Sequence, residues 1–313
     1  MKKITVFILF LLVSAVTFAQ TEIEKVAKAR DMSGVTNKPD SLKAWFLNGT
    51  GTITFSQASF SNWGAGGQNS LGLDVFANLK ANYRKGKHSW SNTLDMGYGF
   101  QLLTIDDNAE FRKTNDKLEL TSAYGYMISK NKQWCVTALV NFKTQFDRGY
   151  KYPDDSNYIS KFMAPGYVIA GVGITYNPSK WVYLYLSPAS ARMTLVLDDT
   201  LSAQGQFGVD PGDHLRTEFG PYFRADMNKD LAPNINLAST LELTSDYLNH
   251  FGNIDVNWNV LLTMKVNKWL AASINTQLIY DDDINIRNSK TGKGGPKTQF
   301  KEILGIGLSY MIK

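Results

Sequence analysis

The sequence predicts an all-β chain, a single antiparallel transmembrane β-barrel of about twelve strands, of the outer-membrane type. Three observations predict it: tryptophan recurs at a near-fixed spacing, long stretches alternate apolar and polar residues, and the links between them alternate short and long. Trp45, Trp90, Trp134 and Trp181 are 45, 44 and 47 residues apart, and Trp269 follows after 88, close to twice that unit. A fixed period marks a repeated structural unit. Here the unit is an up-strand, a long loop, a down-strand and a short turn.

The clearest unit ends in the hairpin at residues 254–280. Ile254, Val256, Trp258, Val260, Leu262, Met264 and Val266 fall on one face, and Asp255, Asn257, Asn259, Leu261, Thr263 and Lys265 on the other. After Asn267 and Lys268 the alternation resumes with Leu270, Ala272, Ile274, Thr276, Leu278 and Tyr280. Period two over this length means strand. Soluble strands usually run to about 5–6 residues, whereas strands crossing a bilayer need about 9–11, apolar towards lipid and polar towards the lumen.

Three segments follow in order. Residues 1–19 read as a secretory signal peptide, with Lys2 and Lys3 before an apolar run and Thr17-Phe18-Ala19 before the cut. Residues 20–44 read as a polar periplasmic arm, and residues 45–313 as the barrel. Without the two signal lysines the formal charge of +5 falls to +3, too small to imply nucleic acid. The single cysteine, Cys135, excludes an intramolecular disulfide framework and a cysteine-cluster metal site. A mean hydropathy of −0.23 fits strands that average an apolar and a polar face.

Twelve strands are expected: residues 45–56, 70–84, 90–103, 117–128, 134–145, 167–176, 181–196, 215–228, 235–245, 254–266, 270–280 and 302–312. Odd strands are followed by long loops and even strands by short turns, the asymmetry of outer-membrane barrels. An even count then puts both termini in the periplasm. Trp45, Trp90, Trp134, Trp181 and Trp269 would lie at the periplasmic membrane interface, where amphipathic rings prefer the headgroup level. Closure leaves no unpaired strand edge in lipid.

The polar parity points Asp74, Asp95, Glu119, Glu218, Asp226, Glu242 and Asp255 into the lumen together with Lys80, Arg84, Lys143, Arg192, Arg216, Arg224 and Lys265. Acids and bases are equal in number. Enclosed charges are costly unless paired or wet, so the balance implies either a cross-linked, filled lumen or a narrow watery pore. Catalysis has weak support. The adjacent Asp213 and His214 with Ser202 form a poor acid–base unit, because neighbours on a strand point apart. Aspartate pairs at 106–107, 154–155, 198–199 and 281–283 read as a solvated rim rather than calcium ligands. No cofactor or metal is expected.

Two further stretches exceed what plain strands need. One is Phe55-Ser56-Gln57-Ala58-Ser59-Phe60-Ser61-Asn62-Trp63 with its glycine-rich continuation Gly64, Gly66 and Gly67, expected as a loop folding over the mouth. The other is Ser187-Pro188-Ala189-Ser190-Ala191-Arg192-Met193-Thr194, where a proline inside a strand signals a bulge beside the inward Arg192. With the twelve-strand frame, these resemble an uncharacterised outer-membrane barrel family of Bacteroidetes, a domain of unknown function. Phe18-Ala19-Gln20 is also similar to signal-peptide ends of that phylum. The resemblance implies fold and location, and brings neither substrate nor catalytic residues.

The expected role is therefore non-enzymatic: a narrow outer-membrane channel for small solutes. The alternative is a non-conducting barrel that binds another cell-envelope protein. Outer-membrane lipid is the partner common to both.

Overall fold

The computed structural model describes residues 44–58, 70–105, 108–249, 251–267, 270–282 and 295–312. The expected arm up to residue 43, the glycine-rich stretch with Trp63, Gly64, Gly66 and Gly67, and Trp269 lie outside the described residues.

Strands form wherever the two-residue alternation runs. They are β1 (Trp45–Ala58), β2 (Ser70–Lys85), β3 (His88–Ile105), β4 (Asn108–Met127) and β5 (Trp134–Thr144), then the two short strands β6 (Gly149–Tyr150) and β7 (Tyr158–Ser160). Next come β8 (Gly166–Ser179), β9 (Val182–Leu195), a five-residue helix α1 (Asp199–Ala203), β10 (Leu215–Ala232) and β11 (Ile235–Thr244). The chain ends with β12 (Asp255–Lys265), β13 (Leu270–Tyr280) and β14 (Gln299–Ile312). Twelve of these strands close into one antiparallel barrel, each paired with its sequence neighbour, β5 with β8 across the β6–β7 hairpin, and β14 with β1. The closing register runs from Gly49 opposite Ile312 to Phe55 opposite Ile306.

The faces follow the sequence parity. Leu47, Ile53, Val75, Val140, Val172, Leu186, Leu304 and Ile306 are exposed on the outside, while Lys80, Glu119, Asn141, Glu218, Arg224, Asp226 and Glu242 are buried within. A soluble barrel would place these two sets the other way round. At the short-turn end the exterior carries aromatic rings in contact: Trp45 lies 5.3 Å from Tyr83 and 5.6 Å from Trp90, and Trp134 stacks on Tyr176 at 4.3 Å. Towards the loop end Phe100 stacks on Phe111 at 4.8 Å. Trp90 and Phe100 share one face of β3 ten residues apart, within the ~9–11 a tilted strand needs to cross a bilayer.

One expected loop is instead strand. Residues 104–105 and 108–116 continue the ladder of β3 and β4 up to Ile105 opposite Asn108, with two residues of chain between the two strands. The extension is held by residues that are polar on both faces. Arg112 pairs with Glu110 at 2.7 Å and Lys113 with Asp116 at 2.6 Å, so it lacks the amphipathic alternation that marks strands elsewhere.

Pro188 does produce the expected bulge. The ladders slip between Val172 and Ile174 on one side of β9 and between Gly220 and Tyr222 on the other. A bulge exchanges the two faces of a strand. Tyr183 and Tyr185 point inward before it, and Ser190, Arg192 and Thr194 after it. Without the extra residue Arg192 would face outward. Gly173 makes the bulge sterically feasible, since a Cβ there would meet the Leu186 carbonyl oxygen at 2.1 Å. The Pro188 carbonyl, freed from the ladder, accepts the Tyr247 hydroxyl at 2.7 Å.

Candidate functional site: the lumen

The fourteen expected lumen charges lie on inward positions of the barrel strands, but they are used unevenly. Glu242 on β11 is the hub of the largest group. Its Oε1 accepts from the Tyr222 hydroxyl at 2.7 Å and from Arg224 at 3.1 Å. Its Oε2 accepts from Lys143 at 2.6 Å and from Asn257 at 2.8 Å. Lys143 belongs to β5, with β8, β9 and β10 between it and β11, so this ion pair is a chord across the lumen. Glu119 on β4 joins it, 3.7 Å from Lys143 and 2.7 Å from Lys117, and accepts from Asn141 at 2.8 Å. Arg224 grips Asp226 with two bonds, at 2.8 and 3.2 Å. A buried carboxylate is tolerable only with this many donors.

A second group sits nearer the loop end. Arg192 on β9 pairs with Asp255 at the start of β12, with Asp281 just after β13 at 2.9 Å, and with Glu218 at 3.6 Å. Arg216 lies 3.1 Å from Glu218. This group also crosses the lumen, over β10 and β11. Asp281, expected in a solvated rim, is buried here.

Around these groups one wall of the lumen is dry. Leu139 on β5, Ile169 on β8, Tyr185 on β9 and Tyr222 on β10 form a buried cluster, with Ala123 and Tyr183 packed against it. Thr137 and Thr175 hydrogen-bond beneath it at 2.8 Å. The opposite wall stays open. Every inward residue of β12 and β13 is only half-buried, among them Asn257, Asn259, Asn275 and Gln277. Asp74, Asn78 and Arg84 on β2 are half-buried, and Lys301 on β14 is exposed although it faces inward opposite Gln277. Lys117 and Lys301 were missed by the sequence reading because each falls at or just outside an expected strand end. Of the remaining expected charges, Asp95 accepts from Asn78 at 2.5 Å, Lys80 is buried, and Lys265 is half-buried near the short-turn end.

A cavity of about 170 Å³ separates the two walls below the Glu242 group. Asn78, Lys80, Thr93, Asp95, Asn259 and Asn275 line it from the open wall, and Tyr183, Arg224, Asp226, Asn228 and Thr240 from the other. A smaller one of about 50 Å³ reaches Thr137, Thr175 and Cys135, with Thr93, Tyr183 and Arg224 common to both. Two buried polar atoms on residues of the larger cavity, Asn78 Oδ1 and Asn228 Nδ2, have no hydrogen-bond partner among the described residues. Left dry, each would cost about 1–3 kcal/mol.

The loop residues weighed for chemistry serve the loops. Ser202 Oγ donates to the Asp213 carbonyl at 2.7 Å, and His214 Nδ1 lies 2.8 Å from the Val196 carbonyl. Asp154 accepts from the Ser156 and Asn157 amides. Asp198 caps α1 through the Leu201 amide at 2.8 Å and pairs with Lys161 and Tyr158. Burial pushes the Asp198 carboxyl up, but Lys161, the Leu201 amide and Tyr158 outweigh it and hold the group below the usual carboxylate range. Among the described residues no three His, Cys, Asp or Glu side chains are grouped to hold a metal. His250 and the pair at 106–107 lie outside them.

A family model described as "Protein of unknown function (DUF3078)" matches residues 55–150. No curated protein matches the chain. Among solved structures, an outer membrane channel from Pseudomonas putida F1 is 11% identical at a TM-score of 0.39, covering 89% of this chain and 99% of that one. The translocator domain of the autotransporter NalP from Neisseria meningitidis is 10% identical at a TM-score of 0.34, covering 92% and 98%. The NanC porin is 12% identical at 0.36, covering 84% and 98%. At such distances the barrel assignment rests on the closed register of this chain's own strands.

Proposed function

We propose that this chain is an outer-membrane barrel that passes small polar solutes along one wall of its lumen, the inner face of β12–β14 and β1–β3. The observation that carries the reading is the split of the lumen. The inward residues of β12 and β13 all stay half-buried and Lys301 on β14 is exposed, with Lys80 and Thr93 as buried exceptions on β2 and β3, while the wall from β4 to β11 is sealed by ion pairs and an apolar cluster. Filling one side of the lumen narrows the passage without closing it. The near balance of enclosed charge suits uncharged or zwitterionic solutes better than ions of one sign.

The exterior supports the membrane setting. Its apolar band, bounded by aromatic rings, has the height a bilayer needs. On this reading Trp45, Trp90, Trp134, Trp181 and Trp269 mark the periplasmic interface, both termini are periplasmic, residues 1–19 direct export, and residues 20–44 form a periplasmic arm. The barrel catalyses nothing on this reading, since its loop histidine, serine and aspartates are committed to loop structure.

Planar bilayers holding the refolded barrel test it. Small, reproducible conductance steps are expected; Gln277→Trp on the open wall should shrink them and Arg192→Ala should enlarge them. A second reading draws on the β3–β4 extension, a fin that also holds the β5–β8 loop through Lys113, which donates to the Asp147 carbonyl. Such a fin suits docking of another envelope protein. A silent bilayer with a stoichiometric envelope partner would favour that scaffold reading instead.

A further inference from the structure

We infer that the larger lumen cavity is a binding site for a small uncharged polyhydroxylated solute of monosaccharide type, and so the selective step of the passage. The inference deepens the channel reading and rests on it for its physiological meaning, but the site is defined by its own geometry. The cavity holds about 170 Å³. That is room for several waters and below the ~300–1,000 Å³ of sites for drug-sized ligands, so only a small solute fits.

Its lining reads as a match for hydroxyl groups. Asn78 Oδ1 offers an acceptor and Asn228 Nδ2 a donor, both buried and without partners among the described residues. Both residues line the cavity, and their strands, β2 and β10, stand across the barrel with five strands between them on either side. A hydroxyl both donates and accepts, so a polyol satisfies both atoms with one kind of group, which a carboxylate or an ammonium does not. Asn259 and Asn275 add side-chain amides on the open wall. The charges that reach the cavity are tied down: Arg224 holds Asp226 through two bonds, Asp95 accepts from Asn78 Nδ2 at 2.5 Å, and Lys80 is buried in the lining. A charged solute would have to displace such pairs at the cost of desolvating both partners. Tyr183 supplies an aromatic ring on the lining, a surface that suits the C–H face of a sugar ring.

Calorimetric binding to the detergent-folded barrel, intact and with heat-modifiable gel mobility confirming the fold, tests the site without requiring conduction. Glucose, glucuronate and glucosamine are the probes. Glucose should bind at least tenfold more tightly than either charged analogue. Asn228→Asp keeps the Oδ1 that accepts from Asn236 and removes only the donor, and should weaken glucose at least fivefold. Asn78→Leu should do the same. Absence of glucose binding, equal binding of the charged analogues, or unchanged affinity in the folded Asn228→Asp barrel would overturn the inference. Bilayer recordings separate this from the parent reading. Conductance that glucose does not block would leave a channel without this site, and glucose binding to a barrel that never conducts would leave the site and remove the channel.

Discussion

The two walls of the lumen are built from the same alternating strands, yet they behave as different materials. From β4 to β11 the inward residues are tied into a dry network: Glu242 alone gathers Tyr222, Arg224, Lys143 and Asn257. From β12 through β3 the inward residues are mainly amides, hydroxyls and single charges that keep contact with the lumen space. The difference teaches that alternation decides only which face a residue takes. Whether an inward charge closes the lumen or lines it depends on what stands across the barrel. Lys143 finds Glu242 across three intervening strands, whereas Lys301 has Gln277 as its lateral neighbour and remains exposed.

The largest expected effect tests the dry wall at its hub. Glu242→Ala leaves Arg224 and Lys143 short of an enclosed acceptor and should cost about 3–5 kcal/mol in urea unfolding from lipid vesicles. Asn275→Ala on the open wall should stay within about 0.5 kcal/mol. Comparable losses at the two sites would erase the distinction between the walls. Next in size is a test of parity on the open wall itself. Arg at Val260 or Leu262 should cost about 2–4 kcal/mol of folding stability in vesicles, and Arg at Asn259 clearly less. Equal penalties would mean that β12 does not have a lipid face and a lumen face.

A smaller effect belongs to the cap over the dry wall, where Leu201 of α1 packs with Ala164, Val196 and Val209. Asp198→Ala should cost this loop about 1 kcal/mol, read as faster proteolysis between residues 196 and 214 with the barrel intact. Because the folded Asp198 carboxyl is held below its usual range, its contribution is complete above the ordinary carboxylate pKa and fades as pH falls through the folded value. Wild-type loop protection should therefore decline in acid while Asp198→Ala stays flat. The smallest stability change, within about 0.5 kcal/mol, is expected for Lys301→Glu, whose site is exposed to the lumen. Its readout is ion selectivity, which should shift towards cations in reversal-potential measurements.

Much of the frame was legible in the residues, for a physical reason. A strand with lipid on one side and polar contents on the other must alternate, so the twelve barrel strands fall close to their expected bounds, as β12 and β13 do. The signal faded where that contrast ends. In residues 108–116 of β4, Glu110 and Arg112 fall on one face and Lys113 on the other, and this part of the expected loop is strand. The apolar contents of the dry wall carried no mark in the sequence, since Leu139, Ile169, Tyr185 and Tyr222 are apolar or aromatic like the residues outside, yet point inward. The pairing of the lumen charges was out of reach for another reason. Lys143 and Glu242 are 99 residues apart, and only closure of the barrel makes them neighbours.

The two-residue link between β3 and β4 also bears on how the chain assembles. That ladder starts from Ile105 opposite Asn108 and widens one pair at a time to His88 opposite Tyr126, so each step of zipping closes only a small additional loop. The β1–β14 closure joins Gly49 to Ile312 through a register half the length of that between β1 and β2, and must bring together the two ends of the chain. Local ladders form faster than distant ones. The hairpin ladders, β3–β4 among them, are accordingly expected to become resistant to hydrogen exchange early in refolding, and the β1–β14 seam last.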